Sequence, residues 1–173
     1  MDESMNQAEA KDVLQTALEA LRQNDLTTFG EDVGERPIMF RVAHYMISKA
    51  ETGESLHVDC DYNRSVDAVK QLLPMKEETF PEADKRVKVQ RFFPDIVIHK
   101  RRDDSENILV CEIKKVGDSR GPELDRRRLQ ILTRQDGYFH YILGAFIEVD
   151  QAHRRIIVEY FENGEAVNKW STA

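Results

Sequence analysis

The chain has 173 residues, 40% hydrophobic and 33% charged, a length that favours one folded domain. No apolar run approaches the roughly 20 residues of a membrane span, and the acidic opening MDESMNQAEAKDV lacks the basic and apolar parts of a signal peptide, so a cytoplasmic protein is expected. The net charge of −7 argues against indiscriminate coating of nucleic acid, but residues 1–35, with nine acids and two bases, carry all of it.

Residues 7–23 place Val13, Leu14, Ala17, Leu18 and Leu21 at three- and four-residue spacing and predict a helix. With a Gly- and Thr-containing connector it forms an acidic N-terminal unit, residues 1–34, ahead of a main domain at 35–173. A second helix is expected from near Pro37 to Ala50, with Phe40, Ala43, Met46, Ile47 and Ala50 as its apolar stripe. The period then falls to two. In LHVDCDY, Leu56, Val58, Cys60 and Tyr62 share one strand face, and His57, Asp59 and Asp61 the other.

Residues 65–73 read as a short helix and 74–90, with Pro74 and Pro81, as an exposed loop. Strands follow at 92–99 and 107–115 around the polar turn RRDDSEN. Gly121 and Pro122 open a third helix, to about 135, with Leu124, Ile131 and Leu132 as core candidates. YFHYILGAFIEV, 138–149, predicts a long buried strand, and RRIIVEYF, 154–161, a last one. Three strands without a crossover helix, then helix and strand, predict a mixed sheet of about five strands flanked by helices. Cys60 and Cys111 fall in apolar runs and read as buried free thiols.

The chemistry concentrates at FFPDIVIHK and ILVCEIKK. Strands want apolar residues, yet Asp95 follows Pro94 in the first, and Glu112 and Lys114 interrupt the second. Alternation puts Glu112 and Lys114 on one face, about 6–7 Å apart by strand rise, and pairing of the two strands lets Asp95 approach them. Two neighbouring carboxylates suit a hard divalent cation such as Mg²⁺, and the carbonyl of Ile113 can add an oxygen. Lys114 is then placed to orient or deprotonate an attacking water and to offset charge on a phosphate.

Pro94-Asp95, sixteen residues, then Glu112-Ile113-Lys114 resembles the PD-(D/E)XK motif of the restriction-endonuclease-like nucleases. The resemblance implies a restriction-endonuclease-like core of order αβββαβ over residues 37–149, here with an extra N-terminal helix and a C-terminal strand. It implies a Mg²⁺-dependent nuclease, with Mn²⁺ as substitute, hydrolysing DNA. Asp95 and Glu112 would bind the metal and Lys114 aid the water. Some members add an acidic residue from the helix before the first strand; Glu35 is the nearest match, and Asp61 is a further acidic candidate. Gln135 and Tyr138 stand one residue closer than the Gln-x-x-x-Tyr of RecB-type members, so that subgroup is not assigned.

Lys85, Arg86, Lys88 and Arg91 form a basic stretch suited to a nucleic-acid backbone, and Arg127, beside Arg126 and Arg128, is a further phosphate candidate. The small size suggests a homodimer or a component of a larger complex. The competing readings are a non-catalytic nuclease-fold module that binds nucleic acid or protein, and a scaffold using the acidic N-terminal helix. The scattered histidines have no zinc spacing, and there is no phosphate-binding glycine loop.

Overall fold

A computed structural model describes residues 5–26, 33–51, 55–62, 93–101, 103–118 and 121–172. The expected helix at 65–73, the loop at 74–90 and the basic residues Lys85, Arg86, Lys88 and Arg91 lie outside the described residues. Helix α1, Gln7–Asn24, starts with a reciprocal cap. The Asn6 side chain accepts from the Ala8 and Glu9 amides, and the Glu9 carboxylate accepts from the Asn6 amide. Such a cap contributes about 1 kcal/mol. Its buried stripe, Ala10, Val13, Leu14, Ala17, Leu18 and Leu21, is the one the spacing predicts, and it packs on α2.

Helix α2 runs Glu35–Ala50, starting two residues earlier than expected. Pro37 is tolerated there because the first-turn amides have no intrahelical partner to lose. The buried residues are Ile38, Met39, Val42, Ala43, Met46 and Ala50. Phe40 is 58% and Ile47 41% exposed, so the core stripe is rotated from the expected one. Asp25, just past α1, fastens the two helices together, accepting from Arg41 at 2.9 Å and from the Tyr45 hydroxyl at 2.7 Å.

Among the described residues, six strands form one open sheet in chain order: β1 Leu56–Cys60, β2 Ile96–Lys100, β3 Asn107–Lys115, β4 Leu143–Asp150, β5 Arg155–Glu162 and β6 Glu165–Ser171. All neighbours are antiparallel except β3 and β4, which are parallel and joined across α3, Pro122–Thr133. This is the mixed α/β arrangement that the element order predicts, with one strand more. Helices α1 and α2 pack with Ile96, Ile98, Cys111, Ile113, Ala145 and Val158. Helix α3 packs with Val97, Val110, Phe146 and Phe161, the other face. Both cysteines are free and face the α1–α2 layer.

Three local expectations fail for identifiable reasons. The fourth strand begins at Leu143, because His140 takes φ +52° and Tyr138 is exposed; Tyr138–Ile142 is irregular backbone. Strand β1 stops at Cys60, because Asp61 takes φ +49°. That single left-handed residue turns Tyr62 off the expected face and into the α3 layer, edge-on to His99 with ring centres 4.3 Å apart. Strand β6 was not anticipated. It is reached through Asn163 and Gly164, at φ +46° and +83°, a two-residue turn that matches strand twist. Pairing of β5 with β6 steps from Glu159↔Lys169 to Phe161↔Ala166, so β6 spends one extra residue and bulges. In α3, Leu129 and Leu132 are the fully buried apolar residues, with Leu124 and Ile131 half-buried around them.

Candidate active site

Strand β3 is longer than β2. The register Ile96↔Cys111, continued by one residue, sets Asp95 opposite Glu112, and there β2 ends. Beyond that point the β3 amides facing β2 have no strand to bond. The Ile113 amide donates instead to Asp95 Oδ2 at 2.7 Å, and the Lys115 amide to Glu35 Oε1 at 3.3 Å. Two carboxylates thus fill the gap at the sheet end. In an extended strand a residue's N–H and C=O project to the same side, so the Ile113 carbonyl opens on that gap too.

Glu112 lies on the α3 face. It is 4% exposed, and its Oε1 has no hydrogen-bond partner. Leaving a buried carboxylate oxygen unsatisfied costs on the order of 1–3 kcal/mol or more. Burial, then the charges of Asp95 and Asp125, push its carboxyl well above the ordinary range, against the pull of Arg128 and Lys114. The Asp95 carboxyl is pushed up to about 6, by burial first, with the Ile113 amide and Lys114 opposing and Glu35 and Asp125 reinforcing.

Lys114 Nζ lies 3.4 Å from Asp125 Oδ2 and 3.6 Å from Glu35 Oε2. Burial lowers its affinity for a proton, but Asp125 and then Glu35 outweigh that and hold the ammonium above its ordinary value. Asp125 also accepts from Arg128 at 2.8 Å. The cluster therefore sets four carboxylates, Glu35, Asp95, Glu112 and Asp125, against two cations, Lys114 and Arg128. Among the described residues the carboxylates outnumber the cations, and the raised Asp95 and Glu112 carboxyls are the pair a divalent cation would help to ionise.

Among the described residues, no three His, Cys, Asp or Glu side chains are grouped to hold a metal ion by themselves. Mg²⁺ makes a smaller demand, usually one or two carboxylates with the remaining positions filled by water. Asp95, Glu112 and the Ile113 carbonyl could supply that set, and the unpartnered Glu112 oxygen suits it.

Of the residues singled out from the sequence, Asp95, Glu112, Lys114 and Glu35 are brought together. Glu35 arrives because α2 starts early enough to include it. Asp61 is exposed and contributes its backbone, donating to the Asp95 carbonyl at 3.2 Å. Arg127 sits two residues beyond Asp125, about 200° around α3, and bonds Gln130 at 3.0 Å. It lines an open cavity of about 770 Å³ with Arg134, Asn163 and Gly164, away from the carboxylates. Arg126 stacks 4.1 Å over the Phe146 ring and pairs with Glu123, Glu148 and Glu159. Asp59 is taken by His99 at 3.0 Å and by Arg101. Asp125 is the residue that sequence reading missed. Its one signal in the sequence is an acidic residue in the first turn of the crossover helix. Gly121, at φ +74°, and Pro122 set that turn so that Asp125 meets β3.

No model of a known protein family matches this chain, and neither a curated protein nor a solved structure does.

Proposed function

We propose that this chain is a Mg²⁺-dependent nuclease of the PD-(D/E)XK kind, hydrolysing phosphodiester bonds of DNA in the cytoplasm. The observation that carries the reading is the buried Glu112 with its unpartnered oxygen opposite Asp95, a carboxyl pair whose raised proton affinity a divalent cation would offset. The strand order supports it as well: three antiparallel strands, a crossover helix and a parallel strand follow the order of a restriction-endonuclease-like core.

A divalent cation held by Asp95, Glu112 and the Ile113 carbonyl would supply Lewis acidity toward a phosphate oxygen and polarise water. The protein's own groups do the rest. Asp95 stays aimed by the Ile113 amide. Lys114, held protonated by Asp125 and Glu35, acts as a donor rather than a base: it orients the attacking water and offsets charge growing on the phosphate. Of the two roles open to it from sequence, this is the one its surroundings favour.

The alternative is a non-catalytic module of the same fold that binds nucleic acid or a protein. One observation favours it: Asp95 and Glu35 already satisfy backbone amides, which is a structural task. The deciding experiment incubates purified protein with plasmid, linear and single-stranded DNA, and with RNA, in Mg²⁺, Mn²⁺ or EDTA. Cleavage that EDTA abolishes supports the nuclease. Binding without cleavage of any substrate supports the module.

A further inference from the structure

Lys114 is reached by carboxylates from two separate helices, and they are not equivalent. Glu35 spends Oε1 on the Lys115 amide and offers Oε2 at 3.6 Å. It stands in the first turn of α2, half-buried. Asp125 is 4% exposed, comes closer at 3.4 Å, and spends its other oxygen on Arg128 from the next turn of the same helix. A buried carboxylate between two cations is costly to bring out of water and is held only if both partners stay in place. Arg128 offsets part of the Asp125 charge, so Asp125 can hold an ammonium without competing fully for the cation expected nearby. We propose that Asp125 is the positioning residue for Lys114: with Arg128 behind it, it fixes the ammonium over the Asp95–Glu112 pair from the α3 side. The role of Lys114 in hydrolysis rests on the nuclease reading above, but the positioning itself does not.

Without Asp125, the remaining ion-pair partner of Lys114 among the described residues is Glu35, on the other helix, and the Nζ should be drawn toward it and off the carboxylate pair. Asp125→Asn is nearly isosteric and keeps an acceptor for Arg128, so the fold should persist. Asp125→Glu restores the charge with one methylene more. The first readout needs no catalysis. Reductive methylation with formaldehyde and borohydride, followed residue by residue by mass spectrometry, reports how firmly each ammonium is held. The expected result is at least a fivefold faster modification of Lys114 in Asp125→Asn, partly reversed in Asp125→Glu, with Lys115 unchanged as the internal standard. The second readout is single-turnover cleavage at saturating enzyme. Asp125→Asn should lower the rate constant roughly 10- to 100-fold with the half-saturating protein concentration unchanged. A wild-type protein that cleaves nothing while Lys114 modification responds as stated removes the nuclease reading and keeps the positioning role. Lys114 modification that is the same in wild type and Asp125→Asn overturns the proposal, whatever the cleavage assay gives.

Discussion

Asp95→Asn should make this protein more stable at neutral pH when EDTA is present. The Asn carbonyl oxygen still accepts from the Ile113 amide, so the sheet end keeps its hydrogen bond and only the charge is lost. The Asp95 carboxyl is raised from 3.8 to about 6 by burial first, and by Glu35 and Asp125. A raised carboxyl binds its proton more tightly folded than unfolded. Its contribution to stability is therefore complete below about pH 4 and is lost as pH rises through 6. About two pKa units at roughly 1.4 kcal/mol each give about 3 kcal/mol as an upper value, and partial solvent access brings this nearer to 2 kcal/mol. At 2–4 °C per kcal/mol for a chain of this size, Tm should rise by about 4–12 °C at pH 7.5, and not at all at pH 4. The assay is thermal and urea unfolding of both proteins from pH 4 to 8 in EDTA. Wild type should lose stability across pH 4–6 and the variant should lose less. A variant no more stable than wild type at pH 7.5, or one with the same slope, would refute the argument that the buried Asp95 charge destabilises the metal-free fold. Mn²⁺ should then stabilise wild type, by about 2.7 kcal/mol at a hundred times Kd, and leave the variant nearly unmoved.

Lys114→Met, which keeps the apolar stem, should slow single-turnover cleavage roughly 10²- to 10³-fold while Mn²⁺ titration calorimetry stays as in wild type. Lys115→Met, one strand position away, should retain the rate; equal losses in both would contradict the register of β3. Changing Lys85, Arg86, Lys88 and Arg91 to Ser should weaken DNA binding at every sequence and flatten the plot of log affinity against log salt by up to about 3 units; an unchanged slope takes this segment out of the interface. Gly164→Ala should lower stability by about 1–2 kcal/mol in urea unfolding. An L side chain there meets φ +83° and would place its Cβ 2.8 Å from Arg134 Cγ, so an unchanged midpoint would mean the β5–β6 turn can take another form.

Much of the site was legible because charge stands out against an apolar strand. Asp95, Glu112 and Lys114 interrupt runs that are otherwise mostly apolar, and alternation alone set Glu112 beside Lys114. Glu35 was half-legible: its type was right, but an N-terminus inferred from Pro37 left it outside the helix. Asp125 could not be found by spacing, since only the crossover of α3 above β3 brings it to Lys114. The same limit applies to Phe40 and Ile47, whose spacing fits a buried stripe as well as the true one does, until the sheet selects a side. Strand β6 was legible in its turn but not in its own residues. Asn163-Gly164 is the strongest short-range hairpin signal in the chain, but EAVNKWS after it lacks the apolar alternation of a half-buried strand. Its polarity reflects exposure, which period-two patterning cannot register on an edge.

That exposed edge has a consequence for how the sheet ends. Strand β6 is exposed along most of its length, the condition in which another chain can add itself and continue the sheet. The extra residue between Lys169 and Ala166 breaks the even spacing of backbone donors and acceptors on which a straight incoming strand depends. Such a strand can stay in step with Lys169–Ser171 or with Glu165–Ala166, but not with both. The bulge is thus a device that makes this exposed edge a poorer template for a further strand than an unbroken one would be. Removing one residue from the bulge would leave β6 with an unbroken row of backbone donors and acceptors, an edge more open to pairing with another chain.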